Sequence, residues 1–152
     1  MTKRQRKPVI DTNSVEWIEA SYRQQKYRYK DLSGDHLGAR IEELPPGHSS
    51  SFHHFHTSEE EHVLVLKGKA TLKFGDDELS IKAGDHLCFF AGDETAHHIK
   101  NNTNGPCSYL VYGERKNDDV VVYPDAGVML IKSLGGKQFT YRAIPDDDAD
   151  DA

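Results

Sequence analysis

His53-His54-Phe55-His56-Thr57-Ser58-Glu59-Glu60-Glu61, followed without a break by His62-Val63-Leu64-Val65-Leu66, decides how this chain is read. It sets imidazoles and carboxylates directly ahead of an apolar strand. Side chains alternate along a strand, so His54 and His56 project from one face and can reach one ion from neighbouring positions. Glu61 lies an odd number of residues past His56, and on an unbroken strand it would face away. Thr57-Ser58 supplies a bend that resets the alternation, which makes His54, His56 and Glu61 a plausible three-ligand set. The plainer alternative for the same residues is a solvated, histidine-rich loop.

Downstream, Gly84-Asp85 opens an apolar run to Phe90, Ala91-Gly92 makes a turn, and Ala96-His97-His98-Ile99-Lys100-Asn101 reads as another strand. Here the sequence resembles the cupin superfamily, and within it the small single-domain bacterial members. Gly47 to Gly68 is similar to the first cupin motif: a glycine, His-x-His, a glutamate, and a glycine seven residues after it. That last spacing selects Glu61 over Glu59 and Glu60. Gly84 to Asn101 is similar to the second motif, ending in the His-x-x-x-Asn of His97 and Asn101. The resemblance, which covers roughly residues 36–125, implies metal ligands at His54, His56, Glu61 and His97.

Three departures from the pattern stand out. One extra residue separates Gly47 from His54, Phe90 replaces the usual proline, and the gap from Gly92 to His97 is long. His98, with Asn102 behind it, competes with His97. His97 keeps Ile99 and Asn101 on its own face and is the preferred ligand.

The chain has 152 residues, enough for one domain with a real core. Its net charge is −6, and five aspartates crowd residues 146–151, leaving the rest about −1. Such a balance carries no electrostatic footprint for nucleic acid. The first ten residues are basic but lack the apolar core of a signal peptide, and no run is long enough to span a bilayer, so the expected compartment is the cytoplasm. Residues 1–12 and 145–152 read as disordered termini around a single domain at 13–144. Cys88 and Cys107 sit in apolar runs and read as small buried residues rather than a disulfide or a nucleophile.

Asn13 and Glu16 resemble a capping pair, and Val15, Ile18 and Tyr22 would line one side of a short helix, so a short helical or extended segment is expected ahead of the barrel. From Gly38 onward, about ten short strands are separated by Gly, Asn, Asp and Pro, the pattern of an all-β sandwich or barrel. They span 39–44, 53–56, 61–66, 70–74, 78–82, 85–90, 96–100, 107–112, 120–123 and 128–132. The resemblance implies a double-stranded β-helix of jelly-roll type, which fits that count. The stretch Asp118 to Asp125 is read as a closing strand with a turn. Val63–Leu66 and Tyr109–Tyr112 are apolar on both faces, and a second copy covering the outer face predicts a homodimer.

Three imidazoles and a carboxylate suit a divalent transition metal (Fe, Mn, Ni, Cu or Zn), and are too nitrogen-rich for Mg or Ca. Four ligands on an octahedral ion leave two positions for substrate or water. The expected function is a metalloenzyme acting on a small organic molecule, of dioxygenase, isomerase or lyase type. The alternative is a barrel that binds a small ligand without catalysis. Phe52, Phe55, Phe89, Phe90 and Tyr109 are candidate pocket walls, and no residue outside the ligands stands out as a general acid or base.

Overall fold

A computed structural model describes residues 8–134 and 137–142. Most of the predicted disordered termini, and all of 145–152, therefore lie outside the described residues. Within them, a 3-10 turn (Thr12–Ser14) capped by Asp11 leads into strands β1 (Ile18–Tyr22), β2 (Gln25–Asp31), β3 (Leu37–Leu44), β4 (Phe55–His56), β5 (Glu61–Lys67) and β6 (Lys69–Phe74). Then come β7 (Asp77–Lys82), β8 (His86–Phe89), β9 (His97–Lys100), β10 (Cys107–Glu114), β11 (Val120–Tyr123), β12 (Val128–Leu134) and β13 (Lys137–Arg142). No helix among these residues is long and apolar enough to cross a membrane.

A six-stranded sheet runs β1-β2-β3-β10-β5-β8, a four-stranded sheet runs β13-β12-β11-β4, and β7-β6-β9 form a third. Every strand pairing is antiparallel. This is the all-β jelly-roll barrel that the cupin resemblance implies and the strand count fits. Alternation fills the interior: Leu44, Val63, Val65, Phe89, Cys107 and Tyr109 turn inward from the large sheet, and Ala70, Leu72, Ile81 and Ile99 from the small one. Gly68, between β5 and β6, has φ +82°, and a Cβ there would lie 2.4 Å from the carbonyl oxygen of Pro106. Only glycine allows both the turn and that approach.

The segment after residue 13, expected to be helical or extended, takes the extended form as the β1–β2 hairpin. Tyr22 pairs with Gln25 across the two-residue loop Arg23-Gln24, and Arg23 takes φ 49°. Tertiary packing decides the matter: β2 pairs along β3, and Arg28 and Lys30 stack over the Trp17 ring at 4.4 and 4.8 Å. The expected strand at 53–56 contracts to β4, with His54 held to His97 by an isolated bridge. Cys107 is buried as expected, but Cys88 is not. Lying between the inward Leu87 and Phe89, it belongs to the outer face of the sheet.

Candidate metal centre

His54 stands just before β4 and His56 ends it, Glu61 begins β5 and His97 begins β9, so the strand residues among the expected ligands come from three sheets. The chain does not simply bend at Thr57-Ser58; it crosses from β4 in one sheet to β5 in another, and this crossing turns Glu61 toward the histidines. The structure brings His54, Glu61 and His97 together, and sets His56 beside them, next to Glu61 but also against Glu59 and Asp119. Ligand atoms of His54, Glu61 and His97 lie within 4.8 Å of one another. His97 Nε2 is 3.4 Å from Glu61 Oε1, and His56 Nε2 is 3.9 Å from Glu61 Oε2. The His54 ring lies 5.2 Å from that of His56 and 4.7 Å from that of His97.

The far side of the imidazoles explains why they face inward. His54 Nδ1 donates to the carbonyl of Phe52 at 2.7 Å, and His56 Nδ1 donates to Asp119 at 2.8 Å. Each bond leaves a lone pair on Nε2, as a metal ligand requires. His97 stacks flat on Phe89, with centroids 3.5 Å apart. Burial, then the neighbouring His97, lowers the pKa of His54 to about 4 and keeps it neutral. Burial alone would raise Glu61, but the His97 hydrogen bond and the surrounding imidazoles outweigh it and hold it at about 2. An ionised carboxylate facing a neutral buried imidazole is an arrangement that a cation completes, and the donor set fits a divalent transition metal.

Asp119 is the functional residue that the strand-and-turn reading missed. Fully buried, it accepts from His56 and from the amides of Ser58 and Glu59, and Lys132 Nζ stands 3.3 Å away. Burial opposes its ionisation, but these donors hold its carboxyl well below the usual range. Glu59 is also buried, tied to Lys132 at 2.5 Å and to the Lys116 amide at 2.8 Å. No local pattern announces such a partnership across sixty-odd residues.

The ligands open on a cavity of about 360 Å³. Of the expected aromatic walls, Phe89 and Tyr109 line it, joined by Tyr123. Phe52 and Phe90 are exposed, and Phe55 lines a smaller recess behind the site. Inside the cavity, Glu42 is buried and accepts from Tyr109 at 2.6 Å, with Arg40 Nε at 2.5 Å. Burial, ahead of the Glu42 charge, pushes the Tyr109 hydroxyl well up, and burial raises Glu42 against the pull of Arg40. His98 points to the other side of β9, where its Nδ1 meets the Ser51 carbonyl at 3.1 Å. His97 is therefore the histidine that joins the cluster.

A cupin domain matches residues 40–113. A sugar phosphate isomerase of the cupin superfamily from Silicibacter pomeroyi is similar with a TM-score of 0.80 and 26% identity, over 92% of this chain and 98% of that one. A protein provisionally assigned as a sugar phosphate isomerase from Acidithiobacillus ferrooxidans has 32% identity and a TM-score of 0.69, over 75% of this chain and 76% of that one. A predicted oxalate decarboxylase from Thermotoga maritima, at 21% identity and a TM-score of 0.63 over 71% of this chain and 99% of that one, shares the fold. No curated protein matches the chain. By its barrel, its two motifs and these relatives, the chain belongs to the cupin superfamily.

Proposed function

We propose that this protein is a metal-dependent enzyme acting on a small, oxygen-rich substrate, with a sugar phosphate isomerisation as the leading reaction. The observation that carries this reading is the convergence of His54, Glu61 and His97, with His56 beside Glu61, on one wall of a cavity that also contains Arg40. A divalent metal held there would polarise a carbonyl or hydroxyl of the substrate. Arg40 and Arg115, which also line the cavity, offer cationic groups to an anionic substituent such as phosphate. The sugar phosphate isomerase at 26% identity, and the protein provisionally assigned to that activity at 32%, support this substrate class.

A second reading, binding without turnover, is favoured by the state of the cavity carboxylates. Glu42 is tied to Arg40 and Tyr109, and Glu59 to Lys132, which leaves neither poised as a proton acceptor. The experiment that separates the two loads the protein with Fe(II), Mn(II), Ni(II), Cu(II) or Zn(II) and incubates it with aldose and ketose phosphates, following isomer formation by NMR. Turnover that is lost with His54→Ala/His56→Ala supports the enzyme. Thermal shifts by the same compounds with no turnover leave the binding barrel. The exposed Leu66, and the half-buried Ile41, Leu64 and Leu110 on the outer face, also support the proposed homodimer, which light scattering tests.

A further inference from the structure

Side chains on the two faces of β5 do different things. Glu61, Val63 and Val65 face the cavity and core, whereas His62 pairs with Cys88 on β8 and with Tyr112 on β10 on the outside of the sheet. There, ligand atoms of Glu60, His62 and Cys88 all lie within 4.8 Å of one another. His62 Nε2 is 2.6 Å from Glu60 Oε1 and 3.8 Å from Cys88 Sγ. Its other ring nitrogen, Nδ1, is 3.3 Å from His86 Nε2, which also lies 3.0 Å from the Tyr112 hydroxyl. The His62 ring also lies flat against Tyr112, with centroids 5.2 Å apart and planes 12° apart.

We infer that Glu60, His62 and Cys88 form a second metal site, on the outer face of the barrel, that takes a thiophilic divalent ion of the zinc type. Three features of the geometry argue for it. Nitrogen, sulfur and oxygen donors from one histidine, one cysteine and one glutamate are a zinc-type ligand set. Tetrahedral zinc, with bonds of about 2.0–2.3 Å, places neighbouring ligand atoms roughly 3.3–3.8 Å apart, and the His62–Cys88 spacing already has that value. The short His62–Glu60 contact, at 2.6 Å, would open by about 0.7 Å to admit the ion. His86 and Tyr112 fix the ring so that Nε2 points at the other two donors, the supporting role that second partners play around metal-bound histidines.

Solvent completes the sphere. Without the ion, burial and the Glu60 charge raise the Cys88 thiol, so its proton leaves as metal binds. β8 is the edge strand of the large sheet, and the ion clips it to β5 at the peptide joining Glu60 to the inner ligand Glu61.

Cobalt(II) titration of the full chain tests this site independently of the inner one, because only the outer site contains sulfur. The wild type is expected to show a thiolate-to-cobalt charge-transfer band. Cys88→Ser and His62→Ala each abolish the band and about one equivalent of bound cobalt, while Cys107→Ser leaves both. His54→Ala/His56→Ala keeps the band. A wild type that binds cobalt with no thiolate band, or a band that survives in Cys88→Ser, overturns the outer site. A wild type that binds about one equivalent with the band upholds it and counts against the inner site instead.

Discussion

The Nδ1 atom of His56 lies 2.8 Å from Oδ2 of Asp119, a residue 63 positions further along the chain and fully buried. That bond fixes which nitrogen of His56 carries the proton, and so leaves Nε2 free to bind a metal. The same carboxylate accepts from the Ser58 and Glu59 amides, so it also shapes the crossing that delivers Glu61.

Replacing Asp119 by Asn is therefore expected to weaken metal binding by about 10–100-fold while leaving all four ligands in place. Competition with a chelator of known affinity measures this. Affinity equal to the wild type would show that His56 holds its orientation without the carboxylate.

Removing the ligands themselves should have a larger effect. His54→Ala/His56→Ala is expected to bind no metal at the inner site, and elemental analysis of protein purified without chelator reads the loss directly. Full inner-site occupancy in the double variant would remove these residues from the coordination sphere.

Acid should destabilise the metal-free protein in two stages. The folded state holds His54 at about 4 against 6.5 in the unfolded chain, and Glu61 at about 2 against 4.5. In both cases the unfolded chain binds more protons, so stability rises with pH across each interval and falls on acidification. The His54 contribution, on the order of 3 kcal/mol, is fully present above pH 6.5 and is lost as the pH falls toward 4. The Glu61 contribution is lost between 4.5 and 2. Denaturant melts of chelator-treated wild type and His54→Ala from pH 7 to 4 should show a steeper decline in the wild type; parallel curves would contradict the assignment.

Tyr109→Phe deletes one donor to the buried Glu42 and is expected to cost about 1–3 kcal/mol. Because Glu42 and Tyr109 touch, Glu42→Gln/Tyr109→Phe should cost less than the two single changes combined. Strict additivity in urea unfolding would mean that the pair contributes nothing jointly.

Gly68 and Gly47 both sit at positive φ, +82° and +83°, but only Gly68 is pressed against backbone. Gly68→Ala is expected to lower stability by clearly more than about 1 kcal/mol, and Gly47→Ala by about that amount, as thermal melts of the two variants would report. Equal losses would show that the Pro106 contact yields.

Much of this was legible because the relevant signals are local. The continuous apolar run Val63–Leu66, the turn at Lys67-Gly68 and the spacing of His54, His56 and Glu61 each lie within a few residues. The β1–β2 hairpin was not, since Val15, Ile18 and Tyr22 also satisfy a helical spacing and Arg23-Gln24 lacks the Gly or Asn that marks a tight hairpin. Asp119 reads only as part of a closing strand with a turn, because its partner is distant in sequence. Cys88 was read as buried because an apolar neighbourhood hides which face a strand residue takes.

His56 belongs to one sheet and Glu61 to another, and β9, which carries His97, to a third. Any sliding or spreading of the layers must therefore change the distances among the donors. Barrel breathing and coordination geometry are one and the same degree of freedom here, so an ion bound at the centre would sense mechanical slack anywhere in the shell.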